Sequence, residues 1–195
     1  MPASAPRVRP DRGGQPASPL FQSALGDRWL ELPSCVRRLH TVQGTASFSG
    51  RAQVTRGRGI VAWLAAWLIG LPRAGEDVPV TVTMTRTPDG ETWERNFAGR
   101  RLRSFLTPSP RPNHLRERFG VATYELELPV EEAVMHLPVR RGWILGIPLP
   151  SVLLPQSCSR EFAVDGTFHF DVGLFAPVTG GLIVRYRGSL RPDAG

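Results

Sequence analysis

The stretch from Val42 to Thr55, VQGTASFSGRAQVT, decides how this chain is read. Val42, Gly44, Ala46, Phe48, Gly50, Ala52 and Val54 fall on one set of alternate positions. Gln43, Thr45, Ser47, Ser49, Arg51, Gln53 and Thr55 fall on the other. Side chains of a strand point alternately to its two faces, so period two over this length predicts a long, half-buried β-strand. Glycines on the apolar face predict a bend or a close approach of two backbones.

The same reading extends downstream. Val78, Val80, Val82 and Met84 alternate with Pro79, Thr81, Thr83 and Thr85. Pro88-Asp89-Gly90 then gives a turn leading into a partner strand with Trp93, Arg95 and Phe97 on one face. Further strands are predicted over 102–107, 115–119, 121–128 and 134–141. A hydrophobic, Pro-rich loop over 143–155 precedes a hairpin, 157–164 and 167–176, around Asp165-Gly166, and a last strand runs over 182–190. About ten strands with short connections predict a mainly β fold: an antiparallel meander, barrel-like or strongly curved. The alternative is an α+β helix-grip arrangement.

Helices are few. Ser18-Pro19 opens a short helix carrying Leu20, Phe21, Ala24 and Leu25, ended by Gly26, and a second helical turn near Pro33 carries Val36 and Leu39. The segment from Ile60 to Leu71, IVAWLAAWLIGL, predicts a short hydrophobic helix after the first long strand. Trp63 and Trp67 share its bulky face. A membrane span needs about 20 residues, so this segment suits a buried helix, an interface or a lid. Residues 1–18, rich in Pro, Gly, Ser and Arg, are expected to form a disordered tail, and 19–192 a single globular domain.

The net charge of +7 invites a nucleic-acid partner, but all 24 basic residues are Arg, spread singly along the strands with no basic helix or run. Solvated Arg faces explain that pattern, and no nucleic-acid partner is expected. Cys35 and Cys158 belong to no metal-ligand spacing, and with no secretory h-region the expected compartment is a reducing cytoplasm.

No catalytic constellation is legible, and neither a metal nor another cofactor is expected. Gly57-Arg58-Gly59-Ile60-Val61-Ala62 fits a dinucleotide pattern. However, the strand before it alternates, whereas a parallel nucleotide-binding strand is buried on both faces. His169 and Asp171 share a strand face without a further ligand, and Glu125 and Glu127 read as a solvated face. Arg95 is the sharper candidate. A guanidinium on an otherwise apolar face needs a partner, which a ligand carboxylate or phosphate would supply; Trp93 or an internal carboxylate such as Glu117 would serve equally. The candidate ligand-binding set is Arg95, Trp93, Phe97, Trp63, Trp67 and Met84.

Several short motifs carry a family resemblance. They include Leu39-His40, Gly50-x-Ala52-x-Val54-x-Arg56-Gly57-x-Gly59, Gly70-Leu71-Pro72, Trp93-x-Arg95-x-Phe97 and Glu117-Arg118-Phe119-Gly120. Gly44-x-Ala46, Gly75, Val78-Pro79-Val80, Gly146-Ile147-Pro148-Leu149-Pro150, Phe168-x-Phe170-Asp171-Val172 and Val184-Arg185-Tyr186-Arg187-Gly188 complete the set. From about Leu20 to Pro192 the chain resembles a bacterial domain of unknown function, number 4166, for which no activity or site residues are established. The resemblance implies attachment, in some members, to NAD(P)-dependent reductases. This sequence shows no reductase portion, so no nucleotide cofactor is carried over. The expected function is a cytoplasmic binding module for a hydrophobic or amphipathic, lipid-like small molecule, with 60–71 and 143–155 covering the mouth. The alternative is a non-catalytic interaction domain that docks on a partner reductase or, peripherally, on a membrane surface.

Overall fold

The computed structural model describes residues 18–59, 62–63 and 70–193. Two six-residue helices open it, α1 (Leu20–Leu25) and α2 (Ser34–Leu39), with a 3-10 turn over Gly26–Glu31 between them. Pro19, rather than the expected Ser18, stands at the N-cap of α1, without a side-chain capping bond, and Gly26 at φ 56° ends the helix. Leu20, Phe21, Leu25, Val36 and Leu39 all turn inward and are buried.

Thirteen strands follow among the described residues. They are β1 (Thr45–Arg56), β2 (Gly75–Thr87), β3 (Gly90–Phe97), β4 (Arg100–Pro108), β5 (His114–Phe119), β6 (Ala122–Glu127), β7 (Val130–Glu131), β8 (Val134–His136), β9 (Val139–Ile144), β10 (Ile147–Pro148), β11 (Gln156–Val164), β12 (Thr167–Phe175) and β13 (Leu182–Pro192). All pairings are antiparallel, in one sheet of order β10-β9-β6-β5-β4-β3-β2-β1-β13-β12-β11-β8-β7. The strand count exceeds ten because the chain breaks at Leu137-Pro138, which splits the strand expected over 134–141, and because the two-residue strands β7 and β10 add two more. The loop expected over 143–155 in fact holds the end of β9, β10 and a 3-10 turn, Ser151–Leu153.

The order is a meander from β1 to β6 and again from β11 to β13, but not throughout. β8 and β9, two residues apart in sequence, pair at opposite ends of the sheet, β8 with β11 and β9 with β6. The Leu137 N–H donates to Ser159 O at 2.9 Å, while Pro138 O accepts from Glu127 N at 3.1 Å. An extended residue spans at most about 3.6 Å, so this link holds the two ends within roughly 11 Å of each other. The sheet is therefore strongly curved, a roll whose hydrogen-bond ladder stays open.

Such curvature needs close backbone contact where β1 meets β13. A Cβ on Gly50 would lie 1.9 Å from Ser189 O, and one on Gly188 would lie 2.1 Å from Arg51 O. Only glycine fits there. Gly57 continues the contact, its N–H donating to Ile183 O at 3.0 Å, which gives the glycine-rich motif a structural role.

The roll has two unlike ends. At one, α1, α2 and the turn between them close the interior; this end also holds the turns at 88–89, 109–113 and 165–166. At the other lie the loop after β1, the turns at 98–99, 120–121 and 145–146, and the β12–β13 loop. No described helix is long and apolar enough to cross a membrane.

Candidate functional site

The interior of the roll encloses a cavity of about 450 Å³, lined by Val80, Val82, Leu102, Leu126, Phe168, Val172 and other apolar side chains from most of the strands. The β2–β3 hairpin forms in the expected register, with Val80 opposite Phe97, Val82 opposite Arg95 and Met84 opposite Trp93. This puts Trp93, Arg95 and Phe97 together in the cavity wall. Met84 lies fully buried in the core, outside the lining. Trp63 is 65% exposed at the open end and also lies outside the lining, and Trp67 falls outside the described residues.

Arg95 has the internal partners that an apolar face demands. Its Nη2 donates to Glu117 Oε1 at 3.0 Å and its Nη1 to Ser104 Oγ at 2.8 Å. Ser104 in turn donates to the same Glu117 oxygen at 2.7 Å. The guanidinium sits 4.9 Å from the centroid of the Trp93 ring. A charge-assisted triangle stacked on an indole fixes Arg95 firmly and leaves it neutralised.

A second polar group stands across Trp93. His40, fully buried after α2, meets Glu161 of β11 through Nε2 and Oε2 at 2.5 Å. Its ring packs on Phe21, centroids 3.8 Å apart, and stacks on Trp93 at 5.5 Å. His40 Nδ1 is buried without a partner among the described residues. Glu161 lines the cavity beside Ser159 and Ser157, whose hydroxyls are 2.7 Å apart. Tyr186 of β13 completes the group. Its phenol is pushed up to about 12, first by burial and further by the negative charges of Glu117 and Glu161, against the opposing pull of Arg95. His40, Glu161 and Tyr186 were absent from the set drawn from sequence. Only the inward alternation of Ser157, Ser159 and Glu161 could have pointed to Glu161, and polar residues on an inward face read as an outward one.

Other candidates resolve into structural roles. Glu125 is buried, not solvated: Ser109 Oγ donates to it at 2.8 Å, and Arg111, Arg116 and Arg141 surround it at 3.6–3.9 Å. Glu127 is partly exposed and pairs with Arg140 at 2.6 Å. Asp171 is gripped by both arms of Arg185, at 2.8 and 2.7 Å, and by Arg160, while His169 stacks on Phe162. No cluster of three metal-ligating side chains occurs among the described residues.

The open mouth is apolar and basic. Large exposed hydrophobic side chains gather in its loops: Trp63 after β1, Val121 between β5 and β6, Leu145 and Ile147 around the β9–β10 turn, Val152 and Leu153 in the 3-10 turn, and Val178 between β12 and β13. Leu153, Ile144 and Pro177 also line the cavity, which links collar and interior. Arg56 ties the loop to the sheet, donating to Pro72 O at 3.1 Å and Ala62 O at 3.2 Å. Burial and the nearby Arg100 charge lower its pKa from the ordinary value. Arg58, Arg73 and Arg100 stand exposed there without an acidic partner among the described residues.

No curated protein matches the chain. Residues 32–190 match the family described as a domain of unknown function (DUF4166), and the chain belongs to that family.

Proposed function

We propose that this protein binds a hydrophobic or amphipathic small molecule, lipid-like in character, inside the roll. One observation carries the reading: an apolar cavity of about 450 Å³ with a small set of convergent polar groups on its wall. Ligand pockets of about 300–1,000 Å³ with this composition bury most of a small molecule's surface. The collar supports it as well, because an apolar rim continuous with the cavity is the route an amphiphile would take from a membrane or carrier. Two free cysteines, Cys35 and Cys158, fit a reducing, cytoplasmic setting.

Native mass spectrometry of the purified protein tests the reading directly, with a co-purified adduct of lipid-like mass expected. Leu126→Trp, which fills the cavity, is expected to remove that adduct and to abolish quenching of intrinsic fluorescence by added amphiphile while the domain stays folded. Unchanged binding by the filled variant would refute an internal site.

A second reading is favoured by the collar itself. Exposed apolar side chains at the same end of the roll as Arg58, Arg73 and Arg100, which have no acidic partner among the described residues, suit docking on an acidic membrane surface or on a partner enzyme such as a reductase. Binding to anionic vesicles that survives Leu126→Trp but is lost in Leu145→Ser with Ile147→Ser would favour docking over internal binding.

A further inference from the structure

The polar wall of the cavity has a definite chemical preference. Arg95 is the obvious anion-binding group, yet its charge is already met by Glu117 and its other terminal nitrogen by Ser104. What remains unmatched are oxygens. Glu161 uses Oε2 for His40, and Oε1 has no hydrogen-bond partner among the described residues. Glu117 receives both its bonds on Oε1, which leaves Oε2 in the same position. Tyr186 is only 8% exposed, lines the cavity, and makes no side-chain hydrogen bond to a described residue. Glu117, Glu161 and Tyr186 all line the same cavity.

Two carboxylate oxygens and the Tyr186 hydroxyl, which accepts as well as donates, stand in a wall whose other polar groups include Arg95, Ser157 and Ser159, and together form a mainly accepting set. A ligand carboxylate would meet two like charges there and only one, already paired, guanidinium. A ligand that brings donors would satisfy all three oxygens, by bonds that are stronger where the acceptor is charged. We infer that the cavity selects an amphiphile whose head donates hydrogen bonds, a hydroxyl or a protonated amine, and discriminates against a carboxylate head. Glu161 is the principal acceptor, with His40 as its positioning residue, and Tyr186 is the second contact. This deepens the proposed function and rests on it.

Equal-chain amphiphiles separate the possibilities: dodecanol, dodecylamine and dodecanoic acid, each titrated into the full chain below its micelle concentration, with intrinsic fluorescence and calorimetry as readouts. The alcohol and the amine are expected to bind about tenfold or more tighter than the acid, the size of one charge-assisted hydrogen bond. Glu161→Gln keeps the contact with His40 and removes the charge. It is expected to cost the amine roughly tenfold, and the alcohol less. Tyr186→Phe, nearly isosteric, is expected to weaken the alcohol and the amine and leave the acid unchanged, so it tests the assignment even if Glu161→Gln folds poorly. Tightest binding by the acid, or the same order of affinities in both variants, overturns the inference while leaving internal binding intact. If the folded protein takes up none of the three, the cavity reading falls and the inference falls with it.

Discussion

The two ends of the roll are built from the same sheet and treat most of their apolar residues in opposite ways, Leu30 in the closing 3-10 turn being an exposed exception. At the helix-closed end, Phe21 is 1% exposed and packs on His40 and Trp93, and Trp29, Leu32 and Val36 join the same core. At the open end, Leu145 is 75% exposed, and its neighbours in the loops are also uncovered. Burying a large apolar side chain stabilises by about 1.5–3 kcal/mol relative to leaving it in water. Side chains at the first end therefore contribute to folding, and those at the second contribute almost nothing to it. The difference teaches that hydrophobicity alone does not locate a core: the apolar side chains of the open end stay uncovered by the fold.

The largest expected effect tests that contrast outright. Phe21→Ala should cost about 3–5 kcal/mol in urea denaturation, whereas Leu145→Ala should stay within about 0.5 kcal/mol. Comparable losses at both positions would break the comparison. The polar part of the closed end is isolated by His40→Phe, which keeps a ring against Phe21 and Trp93 but leaves Glu161 without its partner. A loss of about 1–3 kcal/mol is expected by the same measurement. A neutral result would mean that packing alone gives His40 its place.

Alkaline titration reaches the middle of the roll. Tyr186 ionises near 12 when folded and near 10 when unfolded, so the unfolded chain loses the proton first as pH rises. The stability tied to this group is complete below pH 10 and is lost as pH rises from about 10 toward 12. Tyr186→Phe should flatten that part of the stability profile. Burial also raises Tyr124, the other tyrosine, so ultraviolet difference spectra should show tyrosinate later than in a free peptide. On the outer face the sign is reversed. Hydrogen bonds from Arg185 hold Asp171 below its ordinary value of 3.8. Its contribution is present above that value and fades as the pH falls through the lower folded pKa. Because Arg185 and Arg160 are about half exposed, the effect should be the smallest of the series. Asp171→Asn should lower neutral-pH stability slightly and make it less sensitive to acid.

The sequence by itself determined the strands and the hairpins. Alternation in 42–55 and the Pro88-Asp89-Gly90 turn are local signals, set by backbone geometry within a few residues, so β1 and the β2–β3 register follow from them. Trp93, Arg95 and Phe97 could be put on one face for the same reason, and Glu117 could be named as a partner of Arg95 on chemistry alone. Only the tertiary structure decided the rest. Pro138 marks an interruption of the strand locally, but nothing local says that the two pieces on either side of Leu137-Pro138 pair at opposite ends of the sheet, which brings those ends together and makes the cavity. Glu125 read as solvated because period two separates the faces of a strand without saying what covers the outer one, and here three arginines do. His40 and Glu161 are 121 residues apart, and no periodicity links them. Hydrophobic patterning records which way a side chain points, but contact between distant side chains depends on how the sheet curls, a property of all the strands at once.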